Sequence, residues 1–132
     1  MKLGLGDARA CAIGRKCKRI FAKNQIAWSD VEKNLSFQSS TVNELGMHVK
    51  TGSVDAVIVW DAIARYYADS GEAVEIPIEQ NIVSVVEVGV LTFTRQKELA
   101  EKFVLFAASE RGRAIFRKHN YRVDAPGNRG SG

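Results

Sequence analysis

Between Val54 and Trp60 the chain reads Val-Asp-Ala-Val-Ile-Val-Trp, a nearly continuous, β-branched apolar run. Such a run marks a strand covered on both faces, so it predicts a central strand of a sheet. Asp61 follows at once and can cap a helix over Ala62 to Asp69, which Ser70-Gly71 ends. A central strand that feeds straight into a helix is the unit of a parallel or mixed sheet with helices on its faces.

The rest of the chain repeats that grammar. Leu3 to Leu5 predicts a short strand broken by Gly6-Asp7, and Ile13 to Lys23 carries Ile13, Cys17, Ile20 and Phe21 at helical spacing. Asn24 to Asn34 predicts a short second helix capped by Ser29, and Leu35 to Gln38 alternates as a strand. Thr41 with Glu44 three residues later forms a capping-box pattern for a helix that stops at Gly52. Val74 to Ile78 and Ile82 to Phe93 are strand-like, with Gly89 marking a crossing or bulge. Gln96 to Ala108 and Arg113 to His119 predict two last helices, and the Gly-rich tail 124–132 reads as disordered.

In open α/β sheets ligands bind beyond the carboxyl ends of strands, where loops enter helices. Three places qualify: Gly6 to Gly14, Gln38 to Val42, and Trp60-Asp61. The first turn of a helix has backbone N–H groups without intrahelical partners, and its partial positive charge favours anions. In the capping-box pattern Thr41 and Glu44 serve each other's backbones, which leaves the N–H of Val42. Ala10-Cys11-Ala12-Ile13-Gly14 has no Ser or Thr to cap its helix, and its small residues allow close approach. Two such ends aimed at one point would hold an oxyanion without lysine or arginine; left apart, they are ordinary solvated helix starts.

Composition narrows the classes. The chain has 132 residues, 45% hydrophobic and 26% charged, which fits a globular domain. Asp55, Asp61 and Arg65 interrupt the best apolar stretch well short of the roughly 20 residues that span a bilayer. Nothing after Met1-Lys2 reads as a signal peptide. The net charge of +4 is scattered over Arg15, Lys16, Lys18, Arg19 and Lys23 and over Arg111 to Arg122, without a nucleic-acid-binding signature, so no nucleic-acid partner is expected. Cys11 and Cys17 lack metal or redox spacing and read as half-buried reduced thiols. His48 and His119 read as surface residues rather than metal ligands, and no nucleophile is paired with a base, so no enzyme is expected.

Four segments in order carry a family resemblance: Gly6-Asp7 with Gly14; Thr41-Val42 with Glu44-Leu45; Gly52 and Asp55-Ala56 through Ile58-Val59-Trp60-Asp61-Ala62; and Glu110, Gly112, Ile115-Phe116. From Leu3 to about Val123 the chain resembles the later portion of bacterial molybdate-binding proteins, the periplasmic substrate-binding components of ABC importers. The resemblance implies an α/β fold, a lobe of the type II periplasmic-binding-protein class with a mixed, mostly parallel sheet flanked by helices. It implies a second lobe over residues 1–92 and C-terminal helices over 93–123 that pack on a first lobe. It also implies binding of a tetrahedral oxyanion, molybdate or tungstate, with an ABC importer membrane subunit as partner and no cofactor or metal.

In that family the second lobe supplies a backbone N–H that falls on Ile13, another that falls on Val42, and a tyrosine hydroxyl that falls on Trp60. Trp60 is a departure: an indole has one donor and no acceptor, so it either replaces the hydroxyl bond or walls the site. Where tungstate-binding relatives add acidic ligands, this chain has Cys11 and Ala12, which implies neutral recognition. The serine- and threonine-bearing first lobe has no counterpart here, so the expectation is a partial site. Unpartnered Leu99, Phe103, Phe106, Ile115 and Phe116 would then favour a homo-oligomer through the C-terminal helices. The alternatives are the effector domain of a LysR-type regulator and a non-catalytic interaction module.

Overall fold

The computed structural model describes residues 1–123; the expected disorder of the tail lies outside them. The chain divides into two compact units, Met1–Ser84 and the part from Val85 on.

The first unit is α/β. In chain order it holds β1 (Leu3–Gly6), α1 (Ala12–Lys23), α2 (Trp28–Glu32), β2 (Leu35–Ser39), α3 (Val42–Lys50), β3 (Ala56–Val57) and α4 (Asp61–Tyr66). The strands lie in the order β2-β1-β3, and every pairing among the described residues is parallel. The central strand is therefore β1, not the Val54–Trp60 run. All four β1 residues are buried. Its sequence, Leu-Gly-Leu-Gly, concealed this because the glycines contribute close approach instead of apolar side chains. A Cβ on Gly4 would already stand 3.1 Å from the Val57 side chain.

Only Ala56 and Val57 of the expected strand pair with β1, opposite Leu3 and Gly4. That makes β3 an edge strand, and its residues are half-buried. Asp55 anchors its start: Lys2 N–H donates to the Asp55 carboxylate (2.6 Å), and Asp55 N–H donates to the Lys2 carbonyl (2.8 Å). Ile58, Val59 and Trp60 continue as apolar chain packed against the core. Val74–Ile78 and Ile82–Phe93 form no strand among the described residues. Their β-branched composition suits a pleated surface, but a strand also needs a neighbour to pair with.

The core gathers Leu3, Leu5, Cys11, Ile13, Cys17, Val31 and Leu45. On α1 the spacing of Ile13, Cys17 and Ile20 turns one face inward, as the periodicity predicted. The helix stops without a glycine. Gln25 takes a left-handed φ of 57°, Ile26 N–H donates to the Phe21 carbonyl (2.9 Å), and Gln25 N–H donates to the Ala22 carbonyl (3.1 Å). That paired pattern is a Schellman ending, with glutamine in the place glycine usually fills.

Two expected caps are corrected. Ala27, not Ser29, precedes α2, and Trp60, not Asp61, precedes α4. The cysteines are more than half-buried: Cys11 and Cys17 both lie in the core as free thiols. His48 is half-buried, its ring 3.8 Å from that of Phe37 between centroids, while His119 is exposed.

The second unit holds α5 (Lys97–Ala108) and α6 (Glu110–Lys118), which pack on each other. A Cβ on Gly112 would strike the Phe106 carbonyl at 2.3 Å, so only glycine lets α6 start this close to the end of α5. The expected apolar residues of these helices, Leu99, Phe103, Phe106, Ile115 and Phe116, are exposed.

Candidate oxyanion site at the carboxyl edge of the sheet

Because β1 lies between β2 and β3, the chain leaves β1 to one side and later returns to the other. The carboxyl ends of β1 and β3 flank the point where that direction reverses, the usual place for a ligand in open α/β sheets. All three residues singled out in the sequence follow strands of this sheet. Ile13 is the second residue of α1, after β1; Val42 is the first of α3, after β2; Trp60 immediately precedes α4, after β3.

The entries to α1 and α3 are tied together. Gly6 is paired with Ser39 at the ends of β1 and β2, and Asp7 N–H donates to the Ser39 carbonyl at 2.7 Å. From there Asp7 organises the first loop. Its carboxylate accepts from Arg9 N–H (2.7 Å) and its carbonyl accepts from Ala10 and Cys11 N–H (3.2 and 2.7 Å). Three successive loop N–H groups are thereby used before α1 begins. Arg9 also donates its guanidinium to the Asp7 carboxylate at 3.3 Å. The Arg9 backbone N–H, then its side chain, lower the Asp7 pKa from the usual carboxylate value, so Asp7 is ionised and partnered.

The first N–H groups of α1 are left over. Cys11 precedes the helix in extended conformation and makes no side-chain cap bond. The N–H groups of Ala12 and Ile13 have no acceptor among the described residues. Gly14 is pressed against the end of β1: a Cβ there would lie 2.2 Å from the Gly6 carbonyl oxygen. This contact seats the start of α1 on the strand. No acidic residue stands in the first turn of α1, in contrast to Glu44 in α3 and Asp61 in α4. Electrostatically, α1 is the helix start of this edge that best suits an anion.

At α3 the capping box is built differently from its sequence pattern. Thr41 makes no side-chain cap bond. Buried Ser39 takes its place: its Oγ accepts from Thr41 N–H (3.0 Å) and hydrogen-bonds the Glu44 carboxylate. The spacing from Thr41 to Glu44 did not reveal Ser39, which sits inside the preceding strand. With Thr41 N–H occupied, Val42 N–H is the next donor, and it has no acceptor among the described residues. Val42 itself is half-buried against the core.

Trp60 is half-buried and packs against the core. Its indole N–H has no acceptor among the described residues, yet no buried side-chain N or O atom lacks a partner there, so this N–H is not enclosed. Trp28 differs: its indole N–H donates to Glu32 at 2.5 Å and Lys18 sits 4.6 Å above its ring. Of the two tryptophans, Trp60 is the one with a donor to offer. Each of the three residues thus carries a neutral N–H donor that no acceptor among the described residues takes up. A shallow depression in the second unit, lined by Arg95, Gln96, Lys97, Glu98, Leu99 and Lys102, has no buried residue of α5 to hold a ligand in place.

No curated protein and no solved structure matches the chain. A family described as bacterial extracellular solute-binding protein matches residues 1–122. Such a family is typically non-catalytic and implies a small-molecule ligand, an ABC transporter as partner and a periplasmic or extracellular setting. Among the described residues no helix is long and apolar enough to cross a membrane. With nearly the whole chain covered, the protein belongs to the bacterial extracellular solute-binding family.

Proposed function

We propose that the carboxyl edge of this sheet binds a tetrahedral oxyanion, molybdate or tungstate, for periplasmic delivery to an ABC importer. In this reading Ile13 and Val42 donate backbone N–H groups and Trp60 donates its indole N–H. The observation that carries it is the start of α1. It is uncapped, free of acid, and joined through Asp7 and Ser39 to a second helix start whose first N–H is also without an acceptor. Neutral donors suit a dianion, because they stabilise charge without a counter-charge of fixed position. Sequence resemblance supplies the choice of molybdate or tungstate.

Three donors cannot satisfy four oxygens, each able to accept more than one bond. A second surface must complete the shell for tight capture, so this chain alone should bind weaker than about 1 μM. Calorimetric titration with molybdate tests the reading when paired with Val42→Pro. Proline is tolerated at the first helical position, where it removes the donor together with the half-buried valine side chain. One hydrogen bond to a charged group is worth about 1.5–3 kcal/mol, so binding should fall about tenfold or more. Unchanged binding in a folded V42P chain would remove Val42 from the site.

A further inference from the structure

Helix α4 begins directly after Trp60 and holds no buried residue of its own, so its position depends on what it packs against. Its main neighbour is α3. A notch in α3 receives Tyr67, the residue that ends α4. A Cβ on buried Gly46 would lie 2.1 Å from the Tyr67 ring, so the ring occupies the place of a side chain at that position. Tyr67 is half-buried there, whereas its neighbour Tyr66 is exposed. The Tyr67 hydroxyl reaches further along α3 and donates to the Asn43 carbonyl at 3.3 Å. Asn43 follows Val42, so Tyr67 joins the end of α4 to the first turn of α3.

Trp60 stands at the other end of α4. Its carbonyl accepts from Ile63 and Ala64 N–H (2.9 and 3.0 Å), and the Ile63 carbonyl accepts from Tyr67 N–H (3.2 Å). Continuous hydrogen-bonded backbone therefore connects the two aromatic residues. A helix this short has little stability of its own and takes its place from packing. Here the packing holds both ends, with Trp60 against the core and Tyr67 in the α3 notch. Releasing Tyr67 lets the helix swing about Trp60, and a binding group must keep its place to within about 0.5 Å to be useful.

We propose that Tyr67 is a positioning residue for Trp60: its ring, seated on Gly46, sets the direction of α4 and with it the place of the indole N–H. The inference rests on the oxyanion reading above, in which Trp60 is a donor. Gly46 has the same role from the α3 side.

The test is calorimetric titration of the full chain with molybdate, in the wild type, Tyr67→Ala, Tyr67→Phe, Trp60→Phe and the Y67A/W60F double variant. Y67A should weaken binding about tenfold, as loss of one hydrogen bond to a charged group does. Y67F keeps the ring on Gly46 and should retain most of the affinity. In the W60F background Y67A should cost nothing further, because the donor it positions is already gone. Gly46→Ala covers the case in which Y67A fails to fold: it expels the ring from the α3 side and should weaken binding as Y67A does. A wild-type chain that binds no molybdate sinks the oxyanion reading and this inference together. A wild-type chain that binds, with Y67A and G46A binding as tightly, overturns the positioning role alone. So does a loss on Y67A that is as large without the Trp60 indole as with it, since Tyr67 would then act by another route.

Discussion

Helices α1 and α6 begin in opposite ways. In the second unit, Ser109 precedes α6, accepts from Gly112 N–H at 3.2 Å and donates to the Phe106 carbonyl at 2.6 Å. The residue before the helix thus takes up one of the donors of its first turn. In the first unit, Cys11 stands in the same position before α1, is buried in the core and caps nothing. The donors at Ala12 and Ile13 are therefore free because of one residue type, not because helix starts are free in general. Serine at α6 serves local stability. Cysteine at α1 serves packing and leaves the donors without a side-chain cap.

The largest effect that should separate the two regions comes from glycine. Gly14→Ala forces a Cβ to within 2.2 Å of a backbone oxygen, whereas a Cβ on Gly89 meets nothing within 4 Å. Overpacking at such a seat costs about 1–3 kcal/mol. Urea denaturation should show that loss for G14A and almost none for Gly89→Ala, and G14A should also weaken anion binding by shifting the start of α1. Equal midpoints for the two variants would break the link between the Gly6–Gly14 contact and the site.

A smaller effect belongs to the cap. Ser109→Ala should cost about 0.5–2 kcal/mol, as removal of an N-cap hydroxyl does, and should leave anion binding untouched. A fall in molybdate binding on this change would mean that the anion contacts the second unit instead.

The smallest effect concerns the inward face of α1. Burial first, and then the neighbouring Cys11 thiol, push the Cys17 pKa up from 9.0 to about 12. Folding therefore favours the neutral thiol. Its contribution to stability is fully present below pH 9 and is lost as the pH rises from there towards about 12. Stability curves taken across that alkaline window should slope downward for the wild-type chain and more gently for Cys17→Ala. Identical slopes would place the thiol in water.

Much of the first unit was legible in sequence for a physical reason: α1, α3 and β2 each bury a face whose spacing shows in the order of residues. The hidden parts are those where backbone replaces side chain. The centrality of β1 rests on Gly4 and Gly6, and α1 ends at Gln25 without the glycine that would have announced it. Ile82–Phe93 failed in the other direction, since its composition reads as a strand but a ladder partner cannot be read from one segment. The three candidate residues share one sheet edge, as the strand-to-helix pattern indicated. Ser39 remained invisible because it acts from within a strand, and the difference between Trp28 and Trp60 depends on Glu32, four residues from one tryptophan and far from the other in sequence.

The proposed site stands or falls on whether the uncapped start of α1 donates to the anion. Amide nitrogen–proton spectra recorded during titration with molybdate test it residue by residue. Saturable shifts should concentrate at Ala12, Ile13 and Val42, with the indole resonance of Trp60 moving on the same curve and that of Trp28 still. Unsaturated shifts spread over Arg15, Lys16, Arg113 and Arg117, with Ile13 unmoved, would contradict it and leave only diffuse attraction to a basic surface.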